Sequence, residues 1–96
     1  MFSLRPLPRF ERKYRKLVRR DKKLETRFQQ LLEQLSTNPR SPSLKSHKVT
    51  AWDGRPAFSS EVTGDLRVTW RYSVTEVEVI DLVDTGGHSG SKKVYR

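Results

Sequence analysis

Hydrophobic positions change period once along the chain. Over residues 10–35 they recur at helical spacing, and over residues 57–83 they alternate or run together. Phe10, Tyr14, Leu17 and Val18 mark one face of a first helix, which Pro8 can open. Arg9, Arg12, Lys13, Arg15, Lys16, Arg19 and Arg20 fill its other faces. Asp21 is placed to cap a second helix, in which Leu24, Phe28, Leu31, Leu32 and Leu35 form an apolar stripe. Asn38-Pro39 ends it, and the two helices, joined near Arg20–Asp21, are predicted to lie antiparallel. Ahead of them, residues 2–7 read as a short edge strand, because Pro6 is tolerated at an edge and not in a sheet centre.

Residues 39–46 read as an irregular connector. Beyond it Phe58, Ser60 and Val62 alternate with Ala57, Ser59 and Glu61. Leu66, Val68, Trp70 and Tyr72 then alternate with Arg67, Thr69 and Arg71. A three-residue loop, Thr63-Gly64-Asp65, sets Phe58 opposite Trp70, Ser60 opposite Val68, Ser59 opposite Thr69 and Glu61 opposite Arg67. A two-residue loop would set Glu61 against Leu66 and mix the faces. Residues 77–83 are apolar on both sides, which predicts a central strand. The whole is an α+β domain spanning residues 1–96. A short N-terminal strand and an antiparallel helix pair pack on a small, mainly antiparallel sheet of three to four strands. The helices cover the apolar face, leaving Glu61, Arg67 and Arg71 on an open one.

Charge narrows the function. The 96 residues carry a net +9. Residues 1–48 hold 14 Lys and Arg against 4 Asp and Glu, whereas residues 49–96 hold 6 against 7. A basic half of this kind faces a polyanion such as nucleic acid, or an acidic protein. The absence of cysteine excludes disulfides, thiolate zinc sites and a thiol nucleophile. Two histidines without cysteine make a metal site improbable, and no cofactor is expected. No apolar run suits a membrane span, and residues 1–20 are too basic for a signal peptide, so a cytoplasmic protein without membrane contact is expected.

The element order, the basic helix pair, His47-Lys48-Val49 and the run from Gly64 through Asp65, Leu66, Arg67, Val68, Thr69 and Trp70 to Arg71 together resemble the RelE/ParE superfamily of toxin–antitoxin toxins. Gly87-His88 followed by Val94-Tyr95 looks like its YafQ-type branch. The resemblance implies a RelE-like fold and a type II toxin that cleaves mRNA on the ribosome. It also implies a cognate antitoxin, and contact with operator DNA only through the antitoxin complex. It puts catalytic groups at His47, Asp65 and His88, and Arg67 at an active-site arginine of other branches. Glu61 stands where YafQ-type toxins carry a second histidine, and Ser59 where they carry an aspartate. Six residues separate His88 from Tyr95, more than in that branch.

The residues support this chemistry on their own terms. Metal-free RNA cleavage needs a base for the 2′-hydroxyl, a cation for the phosphorane and an acid for the 5′-oxygen. Histidine suits either proton transfer, and arginine's fork suits the phosphorane. Catalytic candidates are therefore His47, Glu61, Asp65, Arg67 and His88. RNA-binding candidates are Lys13, Lys16, Arg19, Arg20, Arg71 and Tyr95. Plainer roles stay open: a connector histidine at 47, a turn aspartate at 65, and a cross-strand ion pair between Glu61 and Arg67. Trp52 can anchor the hairpin or stack on a base. A ParE-like inhibitor of DNA gyrase and an inactive basic RNA-binding module are the competing functions.

Overall fold

The computed structural model describes residues 1–87, so the expectations for His88 and Tyr95 lie outside the described residues. The elements run β1 (Ser3–Pro6), α1 (Pro8–Val18), α2 (Lys22–Thr37), β2 (His47–Thr50), β3 (Pro56–Glu61), β4 (Leu66–Tyr72) and β5 (Val79–Gly87), with a 3₁₀ turn at Pro42–Leu44. The fold is α+β as expected. The sheet, however, has five strands, in the order β1-β5-β4-β3-β2, not three or four. The unforeseen strand is β2. It carries a single apolar side chain, Val49, so no alternation announces it, and it pairs antiparallel with β3 at the sheet's edge. β1 forms the opposite edge, parallel to β5.

The Thr63-Gly64-Asp65 turn delivers the derived register: Phe58 faces Trp70, Ser59 Thr69, Ser60 Val68 and Glu61 Arg67. β5 lies inside the sheet between β1 and β4. It starts at Val79, because Glu78 takes a left-handed backbone (φ 57°) that breaks the extended run. Val77, expected in the strand, is consequently exposed. Toward its other end β5 bulges. Trp70 faces Leu82 while Thr69 faces Asp84, so Val83 is the extra residue.

Asp21 caps α2 by accepting the Leu24 amide at 3.0 Å. Phe10 of α1 and Phe28, Leu31 and Leu35 of α2 then close over Val68, Trp70, Ile80 and Leu82. Each such burial is worth about 1.5–3 kcal/mol, more than helix propensity supplies per residue. Leu44, fully buried in the same cluster, ties the connector down. A smaller cluster of Ala51, Ala57 and Val83, with Leu7 and Val49, belongs to the reverse face of the sheet.

Candidate active site

The register assembles one row across the reverse face. His47 on β2 faces Ser59 on β3, Ser59 faces Thr69 on β4, and Thr69 faces Asp84 on β5. The neighbouring row is Glu61, Arg67 and Gly86. The sequence reading expected this face to be open, and it is largely closed. Ser59, Thr69 and Asp84 are fully buried, and Arg71 keeps 9% of its surface exposed. His47 is exposed at the edge, and Arg67 and Glu61 are half-buried.

Within this face the Ser59 and Thr69 hydroxyl oxygens, and Nε and Nη1 of Arg67, are buried without a hydrogen-bond partner among the described residues. A buried donor or acceptor left unpaired costs about 1–3 kcal/mol. Four such atoms on adjacent positions of β3 and β4 mark a polar site among the described residues. The cross-strand ion pair between Glu61 and Arg67 is not made. Glu61 is held instead by Lys45 Nζ at 3.4 Å, and Lys45 sits in a left-handed turn at the connector's end. The strand residue opposite Arg67 is Gly86, which has no side chain to fill the space beside it. Asp65 lies exposed in the hairpin turn, two residues ahead of Arg67, where its amide donates to Thr63 Oγ1.

Two of the expected nucleic-acid cations are committed elsewhere. Arg71 donates to both carboxylate oxygens of Asp53 and to the Pro56 carbonyl, and so turns to the β2–β3 loop. Burial pushes the Asp53 carboxyl up. The hydrogen bond from Arg71, the Arg55 amide and the charges of both arginines outweigh it, leaving the carboxyl below its ordinary value. Lys13 binds Asp84 at 3.0 Å, and Arg9 reaches the other oxygen of the same carboxylate at 2.9 Å. Arg9 also lies 4.7 Å above the Trp52 ring, which places Trp52 as an anchor of the hairpin. Lys16, Arg19 and Arg20 stay exposed on α1 and the turn beyond it.

Sequence reasoning placed Ser59 and Thr69 on this face without counting them as functional residues, and it missed Asp84 altogether. The derived register already set Ser59 against Thr69, so that pair was within reach. Asp84 was not, because only the bulge brings it level with Thr69. Among the described residues no group of three or more His, Cys, Asp or Glu side chains is placed to hold a metal ion. No helix among them is long and apolar enough to cross a membrane.

No family model matches the sequence, and no curated protein matches it. The fold does have relatives among solved structures. A YoeB/ParE toxin from Agrobacterium tumefaciens superposes with a TM-score of 0.73 at 17% identity, covering 92% of this chain and 100% of that one. A YoeB–YefM complex from Staphylococcus aureus gives 0.71 at 14% identity, covering 93% and 99%. The DinJ–YafQ complex from E. coli gives 0.67 at 19% identity, covering 92% and 94%. This chain therefore has the fold of the RelE/ParE-like toxins over nearly its whole length.

Proposed function

We propose that this protein is the toxin of a type II toxin–antitoxin pair, and that it cleaves mRNA on the ribosome by metal-free acid–base chemistry at the Arg67 face. The observation that carries the reading is the half-buried Arg67 guanidinium, whose Nε and Nη1 find no partner among the described residues and lie beside the Ser59 and Thr69 hydroxyls, which find none there either. Oriented guanidinium donors suit the charge that develops on a phosphorane. In the reaction the 2′-oxygen bonds to phosphorus as the bond from phosphorus to the 5′-oxygen breaks. One proton leaves the 2′-hydroxyl for a base and another reaches the 5′-oxygen from an acid. His47 stands at the edge of this face and His88 follows β5 in sequence, and the two are assigned these proton transfers. Glu61, held by Lys45, and Asp65 in the adjoining turn flank the site.

The exposed cations Lys16, Arg19 and Arg20 supply the attraction to ribosomal RNA phosphates. The partner that restrains the toxin is a cognate antitoxin with an acidic or amphipathic segment. Two of the superposed structures are complexes of YoeB with YefM and of YafQ with DinJ. Incubating the protein with translating ribosomes and mapping mRNA 5′ ends tests the proposal. Cuts within the coding frame are expected. Blocked gyrase supercoiling without mRNA cuts would make the protein a ParE-like inhibitor and overturn the cleavage reading.

A further inference from the structure

The sheet carries a cavity mainly on the face opposite Arg67, reaching His47 at the β2 edge. Beyond the reach of the helices, a hollow of about 510 Å³ opens between the connector and the ends of β2, β3 and β4. Its floor is aromatic, with Phe58 and Tyr72 beside Trp70, and its rim is cationic, with Arg40, Lys45 and Lys48. Among the described residues no carboxylate lines it. The carboxylate held by a rim residue is Glu61, already paired with Lys45.

The cavity is built rather than incidental. Phe58 and Trp70 are directly opposed across β3 and β4 and stack with centroids 4.9 Å apart. Tyr72 meets both edge-on, 5.3 Å from Trp70 and 6.1 Å from Phe58. The Trp70 indole donates to Ser60 Oγ at 2.8 Å, and the Ser60 and Ser46 hydroxyls lie 2.6 Å apart. That chain of bonds bolts the connector over the aromatic floor. Lys48 faces Phe58 across β2 and β3, which sets a cation beside the rings.

We propose that this cavity binds one nucleotide of a single-stranded nucleic acid, its base against Tyr72 and Phe58 and its phosphate between Lys48 and Arg40. Aromatic faces within a cationic rim meet both needs of a nucleotide, whereas an acidic peptide would use only the rim. The volume suits a ligand of nucleotide size. The β2 edge joins the two places: His47 faces Ser59 in the row that holds Thr69 and also lines this cavity, and Lys48 faces Phe58 within it. A strand crossing the β2 edge would thus occupy both sites at once.

The test uses the full chain carrying Trp52→Phe, so that Trp70 reports, and a mixed-sequence hexanucleotide with 2′-O-methyl riboses, which cannot be cleaved. Titration should change the tryptophan emission. Tyr72→Ala should weaken binding about 5- to 160-fold, the range of one lost stacked base. Lys48→Ala and Arg40→Ala should each reduce the slope of log K against log salt by about 0.7. Thermal unfolding of each variant confirms the fold, and the two cation variants, at exposed side chains, keep the test alive if Tyr72→Ala unfolds. Wild-type affinity and salt slope in all three variants would overturn the proposal. So would a poly-aspartate peptide that binds with the same Tyr72 dependence while the hexanucleotide does not bind. Because the probe is uncleavable, failure here leaves the cleavage proposal standing, and failure of cleavage leaves this one standing.

Discussion

Replacing Asp84 by Asn keeps the shape of a fully buried side chain and removes its charge. One oxygen of Asp84 takes Lys13 Nζ at 3.0 Å and the Thr85 amide at 2.9 Å, and the other takes Arg9 Nε at 2.9 Å. An asparagine that keeps its carbonyl toward Lys13 and Thr85 turns its amide hydrogens onto the Arg9 donor, and the flipped rotamer turns them onto the other two. Removing one partner of a buried ion pair costs about 3–5 kcal/mol. Arg9 and Lys13 keep 34% and 32% of their side-chain surface exposed, so water takes up part of the loss. About 2–3 kcal/mol remains. In a domain of this size that lowers the unfolding midpoint by roughly 8–24 °C. Thermal and urea unfolding followed by circular dichroism measure it. The same substitution in an Arg9→Met, Lys13→Met background should cost under about 1 kcal/mol, since no charge is left unpaired. A cost below about 0.5 kcal/mol, or an undiminished cost in that background, would refute the clamp and return Lys13 to the pool of cations free for RNA.

Three further outcomes follow from the site and its supports. Arg67→Met should slow mRNA cleavage about 10²–10³-fold while the unfolding midpoint holds or rises, because unpaired buried N–H groups are removed with the charge. Undiminished cleavage would place the phosphorane elsewhere. Ser60→Ala takes the acceptor from the Trp70 indole and the partner from Ser46, and should cost about 1–3 kcal/mol in urea unfolding. An unchanged midpoint would show that this bond chain does not hold the connector. Asp53, whose carboxyl is held below its ordinary value near 3.8, adds stability that is fully present above that pH and lost as pH falls through the lower folded value. Asp53→Asn should therefore lower stability at pH 7 and flatten its fall below about pH 4, read from urea midpoints across pH 2–7.

The two helices and the central hairpin were legible because each writes its burial into a regular period. Phe28, Leu31 and Leu35 sit one helical turn apart, and Val68 and Trp70 sit two residues apart. Loop length and alternation together left a single register for Phe58 and Trp70. What stayed hidden depends on neighbours rather than on period. β2 has one apolar side chain because an edge strand needs few. Arg71 reads like Arg67 in sequence, both cations on one strand face, and only the β2–β3 loop folding back with Asp53 separates their roles. The aromatic cavity draws its rim from an irregular connector and its floor from strands, so no local pattern announces it.

The parallel pairing of β1 with β5 has a consequence for the order in which the chain folds. Ser3 pairs with Val79, and α1 is clamped at Asp84, so among the described residues the first strand finds its sheet partner only across most of the sequence. Closing so long a loop is slow, while β2, β3 and β4 pair through short turns. During synthesis the meander and the second helix can form early, but β1 keeps an unpaired edge until residues 79–87 have emerged. A nascent chain stalled before residue 79 would hold the aromatic hairpin without its finished sheet. The molecule's assembly is timed by the arrival of its fifth strand.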